Sequence, residues 1–340
     1  MTSRQATRSP APQGPAPHGV TILGGGPAGA SAALAALHEG AGVQVVERSK
    51  FPRHKVCGEF LSPEIQRELE RLEMWQAFLD LAPARVRRMS FHFGDGRGRR
   101  EKHCALPEPA WGLSRYAFDA LLLNAAEQRG AQILRESGEP AQVVATGRAA
   151  AAKHRGARLF GFKAHFEGPA NDAVELYFFG RCYVGVNAIE GGRTNVCGLA
   201  PEDFLREFNF DYDALVRHSH ALADRLAPLT RSTQWFSTGP LEFGQSFGDG
   251  NQYLAGDSLS FVDPFTGSGL LAAVKSGALA GQSVCRSVSV EDYSAGCRAM
   301  LRRPFEVAVL IRTAVERGWA DRLAAWVPGK WLFQLTRPLS

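Results

Sequence analysis

Apolar and polar positions along the chain change rhythm three times. Gly19 to Leu23 is a short apolar run ending in glycines, Ala28 to Leu37 is small and helical in pattern, and Val43 to Val46 is a second apolar run closed by Glu47. This order predicts strand, turn, helix and strand, with an acid at the end. Ser62-Pro63-Glu64-Ile65 predicts a helix to about Leu79, with a serine cap and proline in its first turn. Met89 to Phe93 and Lys102 to Leu106 predict short strands around Gly94-Asp95-Gly96. Ser114 predicts the cap of a helix that carries Phe118, Leu121, Leu122 and Ala125 on one face.

From Leu159 to Leu199 the rhythm becomes alternation: Phe160, Phe162, Ala164 and Phe166, then Val174, Leu176 and Phe178, then Val184 and Val186, and finally Val196. Strands separated by glycine turns in this way predict an antiparallel sheet. Helical segments at Pro201 to Phe208 and Tyr212 to Leu226 follow, and a strand at Gln234 to Phe243 comes next. Tyr253 to Ala255 predicts a short strand, Gly269 to Val284 a helix of small apolar residues, and the chain to Leu335 further helices. Residues Met1 to His18, rich in Pro, Ala, Ser and Gln, predict a disordered tail.

Composition narrows the class. At 340 residues the chain has room for two units with their own cores. A net charge of +5 favours an anionic partner, yet the basic clusters at Arg85, Arg87, Arg88 and at Arg97, Arg99, Arg100 build no nucleic-acid motif. Cys57, Cys104, Cys182, Cys197, Cys285 and Cys297 lack the spacing of zinc or dithiol sites, which fits a reducing cytoplasm and no metal. No apolar run reaches the roughly 18 residues of a membrane span, so a cytoplasmic protein, peripheral at a membrane at most, is expected. Trp319, Arg322, Trp326, Trp331 and Arg337 fit either a membrane surface or helix packing.

The turn Gly24-Gly25-Gly26-Pro27-Ala28-Gly29 fits G-x-G-x-x-G in the strand-to-helix context that a dinucleotide site requires. Gly24 permits the turn, Gly26 the approach of a pyrophosphate, and Gly29 close packing of helix on sheet. Glu47, with Arg48 after it, ends the second strand where a carboxylate accepts hydrogen bonds from ribose hydroxyls, which favours an unphosphorylated ribose.

Further motifs follow in order: Arg115, Phe118 and Asp119; Thr146-Gly147-Arg148; Gly256-Asp257; Asp263-Pro264; and Gly267-Ser268-Gly269 before a helix. Together with Phe51-Pro-Arg-His-Lys-Val-Cys-Gly-Glu59, Val184-Gly-Val186 and Asn195-Val-Cys-Gly198, they resemble the flavoprotein monooxygenase and geranylgeranyl reductase superfamily. The resemblance covers roughly Gly19 to Cys297. It implies FAD, with Asp257 on the ribityl chain, Arg115 touching the cofactor, and backbone amides around Gly267, Ser268 and Gly269 facing the flavin pyrimidine ring. A helix N-terminus there independently suits the negative charge of a reduced flavin.

The expected fold class is α/β with an α+β insert: a Rossmann-like FAD-binding domain, a mostly antiparallel substrate-domain sheet and C-terminal helices. The expected boundaries are a tail over 1–18, a discontinuous FAD domain over 19–85, 112–157 and 244–288, a substrate domain over 86–111 and 158–243, and a helical segment over 289–340. One departure stands out. Ile133-Leu134 is followed almost at once by Val143 to Arg148, so the strand meander that the superfamily places there is absent or severely shortened around 135–145, which bears on FAD binding.

Lys55, Cys57 and Glu59, in a loop near the expected flavin, are candidates to line the substrate cavity, as are Phe162, Phe178 and Trp235. Cys57 is reactive only if its pKa is lowered, and Lys55 alone is near in sequence to do so. His54 and His165 are possible proton donors, and neither is assigned a catalytic role. The flavin performs the redox step, so no catalytic side chain is named.

The expected function is an FAD-dependent oxidoreductase acting on a hydrophobic small molecule, reducing a carbon double bond as geranylgeranyl reductases do. A flavin-dependent monooxygenase that hydroxylates is the alternative, and a non-catalytic flavin-fold binding protein is another. With one dinucleotide fingerprint, the electron donor is NAD(P)H docking transiently or a separate flavin or NAD(P)H reductase. The halogenase pattern W-x-W-x-I-P is absent.

Overall fold

The computed structural model describes residues 19–94, 100–147, 158–241, 243–246, 250–261 and 267–316. In chain order the first elements are β1 (Val20–Leu23), α1 (Pro27–His38), β2 (Val43–Val46), β3 (Phe60–Leu61), α2 (Ile65–Arg71), α3 (Trp75–Asp80), β4 (Ala84–Phe93), β5 (Arg100–Gly112) and α4 (Arg115–Gln128). Next come β6 (Gln132–Leu134), β7 (Val143–Val144), β8 (Leu159–Glu167), β9 (Ala173–Phe179), β10 (Cys182–Ala188), β11 (Arg193–Pro201), α5 (Glu202–Glu207), α6 (Tyr212–His218) and α7 (His220–Leu226). The chain continues through β12 (Thr230–Arg231), β13 (Phe236–Leu241), β14 (Gly244–Gln245), β15 (Tyr253–Leu254), β16 (Ser260–Phe261), α8 (Gly269–Cys285) and α9 (Val290–Glu316).

Five parallel strands form the first sheet in the order β15-β7-β1-β2-β6. Helix α1 is built of alanine and leucine with a buried run from Pro27 through Ala36, because α8 lies directly against it. Glycines set that distance: a Cβ on Gly277 would sit 2.0 Å from the Ala28 carbonyl oxygen, and one on Gly281 would sit 2.2 Å from that of Ala32. The small-residue pattern of both helices is therefore a close-packing pattern, which explains why neither shows a polar face.

The second sheet has nine strands in the order β12-β8-β11-β10-β9-β4-β5-β3, with β13 also on β8. Its pairs are antiparallel except β4 on β9. Residues opposite each other share a face. Register therefore puts Leu159, Gly161, Lys163, His165, Asn195, Cys197, Leu199, Tyr183, Phe178, Leu176 and Phe91 on one face, and Phe160, Phe162, Phe166, Val196 and Val184 on the other. Helices α5 to α7 cover the second face over a core that includes Phe162, Phe166, Leu215 and Leu222.

Several predicted boundaries change. The expected helix to Leu79 is two helices, broken where Glu73 adopts φ 56° and sends Leu72 and Met74 into the core. The Arg129 guanidinium holds that break by donating to the carbonyls of Leu72 and Glu73. Ser62 is not its cap; Glu64 stands at the N-cap and makes no side-chain capping bond to the helix. The helix expected over Tyr212 to Leu226 is also broken, at Ser219, whose hydroxyl accepts from the Leu222 amide. Ser114 does cap α4, accepting from the Ala117 amide. Between β6 and β7 the chain contains no strand, so the short link expected there is present. Arg135 and Gln142 tie it to the Glu47 carbonyl and the Thr21 amide. The expected tail over 1–18, Arg148, Asp263-Pro264 and the tryptophans and arginines after 317 lie outside the described residues.

Gly277→Val should overpack the α1–α8 contact and lower stability by about 1–3 kcal/mol in chemical denaturation, whereas Gly130→Ala, where a Cβ meets nothing within 4 Å, should cost less even though its φ is positive.

Candidate active site

The site is built from the first turn outward. Gly24 has φ 103°, and a Cβ there would sit 2.4 Å from the Ala145 carbonyl oxygen; a Cβ on Gly29 would sit 1.7 Å from that of Gly24. Those two glycines close the turn. Gly26, at the N-cap of α1, is different, because a Cβ there would meet nothing within 4 Å. Its surroundings leave the backbone open to approach, with Pro27 starting the helix and the amides of Ala28 and Gly29 following.

The Glu47 carboxylate accepts from the amides of Gly25 (2.9 Å) and Ser49 (2.7 Å) and pairs with Arg53 at 3.2 Å. Burial raises its pKa, but the amides and the guanidinium outweigh burial and hold it below the usual carboxylate range. Arg53 donates to both Glu47 oxygens, at 3.4 and 3.2 Å, so with the two amides the roughly four acceptor positions of the carboxylate are engaged, and ribose hydroxyls would take the places of Arg53. Arg48 is exposed, and its carbonyl accepts from Arg135.

Arg115, the first residue of α4, makes a two-pronged pair with buried Asp119 at 2.5 and 2.7 Å. Burial works against its charge, but Asp119, Cys57 and Asp257 nearby push its pKa further up. Asp257 follows Gly256, whose φ of 61° and amide bond to the Ser276 hydroxyl fix the turn. Ser258 donates to the Gly147 carbonyl at 2.7 Å, which joins the Thr146-Gly147 segment to the Gly256-Asp257 turn. Gly267, at φ 60°, lies so close to the Phe60 ring that a Cβ would approach it to 2.9 Å. Ser268 is the buried N-cap of α8, and Gly269 is exposed with nothing within 4 Å of a Cβ. Gly256 thus lies against Ala28 of the glycine turn and Asp257 acts on Arg115, so these elements adjoin, and the strip they form with the start of α8, the candidate groove, has open amides that fit an extended dinucleotide such as FAD.

Behind this groove stands a buried ionic cluster that the sequence pattern hides. Glu59, at φ 54°, is fully buried and accepts from Lys163 Nζ, from His165 Nε2 at 2.7 Å and from the Arg115 amide at 2.8 Å. Lys163 and His165 are themselves fully buried on β8. Burial raises the Glu59 pKa, but His165 and Lys163 outweigh it and hold the carboxyl below its ordinary range. Lys163 also donates to the Lys55 carbonyl, and Asn195 donates to the carbonyls of Cys57 and Gly58. The loop from Lys55 to Glu59 is therefore bolted to the sheet.

Structure separates the predicted lining residues. Cys57 and Glu59 lie between groove and sheet, while the Lys55 side chain is exposed. Burial pushes the Cys57 thiol up despite Arg115, so a reactive thiolate has no support here. Phe178 belongs to an apolar cluster with Phe60, Phe91, Leu176, Tyr183 and Leu199, on the face that carries Lys163. Phe162 and Trp235 lie on the opposite face, in the core beneath α6 with Tyr212, and the Trp235 indole donates to Asp213. The residue missed was Lys163, which with His165, a possible proton donor by sequence, alternates with Phe162, Ala164 and Phe166.

Comparison with known proteins agrees with the groove. Residues 18–158 match the model of an FAD binding domain. Menaquinone reductase of Mycobacterium tuberculosis is 36% identical over 118 residues, 34% of this chain and 28% of that protein. The alignment thus spans little more than a quarter of that relative. Among solved structures, the flavin-dependent brominase Bmp2 superposes with a TM-score of 0.73 at 16% identity, covering 93% of this chain and 92% of that one. PqsL of Pseudomonas aeruginosa, described as a probable FAD-dependent monooxygenase, gives 0.70 at 17% identity, covering 90% and 99%. No helix among the described residues is long and apolar enough to cross a membrane.

Lys163→Met leaves the Glu59 charge buried with one partner fewer and should cost about 3–5 kcal/mol, part of which Glu59→Gln added to it restores; thermal melting reads both. Because the folded pKa of Glu59 is depressed, its contribution is present above the unfolded value of about 4.5 and is lost as pH falls through the lower folded value. Melting temperatures measured from pH 7 downward should therefore drop more in the parent than in the double variant.

Proposed function

We propose, from the match of residues 18–158 to an FAD binding domain and the fold shared with flavin-dependent enzymes, that the chain is an FAD-dependent oxidoreductase reducing a carbon double bond of a hydrophobic small molecule. One observation carries the substrate class. The sheet face that carries Lys163, His165 and Asn195 turns apolar away from them, where Phe91, Leu176, Phe178, Tyr183 and Leu199 meet Phe60, which in turn abuts Gly267 at the start of α8. A polar substrate gains nothing against such a wall. The likeness to menaquinone reductase over 118 residues favours reduction, and the loop Phe51 to Glu59 lies within the residues that match an FAD binding domain.

In this reading, the Gly24 to Gly29 turn and Glu47 hold the adenosine diphosphate part, Arg115 and Asp257 the ribityl stretch, and the amides from Gly267 to Gly269 the ring. Bound FAD supplies hydride chemistry. The protein's part is to orient it, to exclude water with Phe60 and the apolar face, and to keep positive charge from Arg115 and the α8 N-terminus near the reduced ring. NAD(P)H or a separate reductase provides the electrons.

Anaerobic mixing of the photoreduced holoprotein with a menaquinone or another polyprenyl substrate should reoxidise the flavin without oxygen uptake. Reoxidation that requires dioxygen, with an equivalent of oxygen consumed for each substrate, would instead establish a hydroxylase.

A further inference from the structure

Saturating a double bond takes a hydride and a proton, and the source of the proton is open in the reading above. Two buried polar atoms on the sheet face under the Lys55–Glu59 loop lack a hydrogen-bond partner among the described residues: His165 Nδ1 and Asn195 Oδ1. They belong to residues that face each other across β8 and β11. Buried polar groups in folded proteins are nearly always satisfied, so two orphans side by side are positioned to take a protic partner that the protein itself does not supply.

His54 adds the third member. Its ring stands 5.4 Å from that of His165, edge to face, and its own Nδ1 is also buried without a partner. On its other sides His54 stacks with Phe236 at 4.8 Å and lies 5.0 Å from Tyr116, which is exposed. His165 is fixed in place through its Nε2, which Glu59 holds. The line from Glu59 through His165 to His54 therefore runs from the ionic cluster behind the groove to the protein surface.

We propose that His165 and His54 form the proton-delivery pair of the enzyme, with Glu59 and Lys163 as positioning residues. The inference rests on the reductase reading. With bound flavin supplying the hydride to one carbon of the double bond, a protonated histidine ring of the pair would give its N–H proton to the neighbouring carbon and would regain a proton from solvent along the His165–His54 line. No bond to the protein forms. The charged groups acting on His54 are Lys163, Glu59 and Arg193, and Glu59 holds His165. Burial, then Lys163 and His165, holds the His54 ring below its ordinary imidazole range, which makes the protonated ring a stronger acid.

His165→Gln keeps a donor toward Glu59 and cannot pass a proton. The variant should bind FAD and melt like the parent, yet slow substrate-driven reoxidation of the flavin about 100-fold or more. His54→Gln should flatten the parent's decline in rate as pH rises, and added imidazole should restore part of its rate. A second readout needs neither FAD nor turnover: in spectra of protein labelled with 15N-histidine, the ring signals of His165 and His54 should each shift when the other is replaced. Parental rates and pH profile in His165→Gln, or ring signals that ignore the partner's replacement, would overturn the proposal. Holoprotein that fails to turn over any substrate would sink the reductase reading alone, because the spectra still decide the coupling.

Discussion

A carboxylate held out of water is the constraint around which the site is arranged. Glu59 is buried, in a left-handed backbone conformation that a non-glycine residue adopts only when its surroundings demand it. Its surroundings are a lysine and a histidine from β8 and an amide at the start of α4. The same residue therefore joins the second sheet to the helix that carries Arg115. Removing a charge from water costs several kcal/mol and is tolerated only with close partners. That cost explains why Lys163 and His165 interrupt an apolar strand, and why Asn195 braces the same loop from the neighbouring strand.

Around that fixed point the two sheets divide the labour. The parallel sheet presents glycine turns and helix N-termini, which suit phosphates, and Glu47 at the end of β2 suits a ribose. The antiparallel sheet presents one apolar face toward Phe60 and buries the other under α5 to α7. Phe60 and the Gly267 turn form the seam, because a side chain at Gly267 would collide with the Phe60 ring.

Much of this was legible in the sequence, for identifiable reasons. The glycine turn, Glu47 and the Ser114 cap are local features whose geometry follows from a few adjacent residues. Strand alternation from Leu159 to Leu199 gave the antiparallel sheet, since side-chain period alone fixes it. What failed to show depends on distant partners. The breaks at Glu73 and Ser219 come from tertiary demands on Leu72, Met74 and the cores they enter, which a helical pattern does not carry. Alternation told that Phe162 and Lys163 point to opposite faces but not which face meets the groove, so Phe162 and Trp235 were named as lining candidates beside Phe178. The ionic cluster joins residues about 100 positions apart, so the sequence singled out Glu59 and His165 separately and nothing in it paired them or pointed to Lys163.

The central claim is that the groove between the Gly24–Gly29 turn and the start of α8 holds FAD. The most direct test is the visible absorption spectrum of the full chain after incubation with FAD and gel filtration. Flavin bands retained at about one per chain, and lost when Gly26 is replaced by valine in an otherwise folded protein, are the result the account predicts. A folded parent chain that retains no flavin even after excess FAD would contradict it.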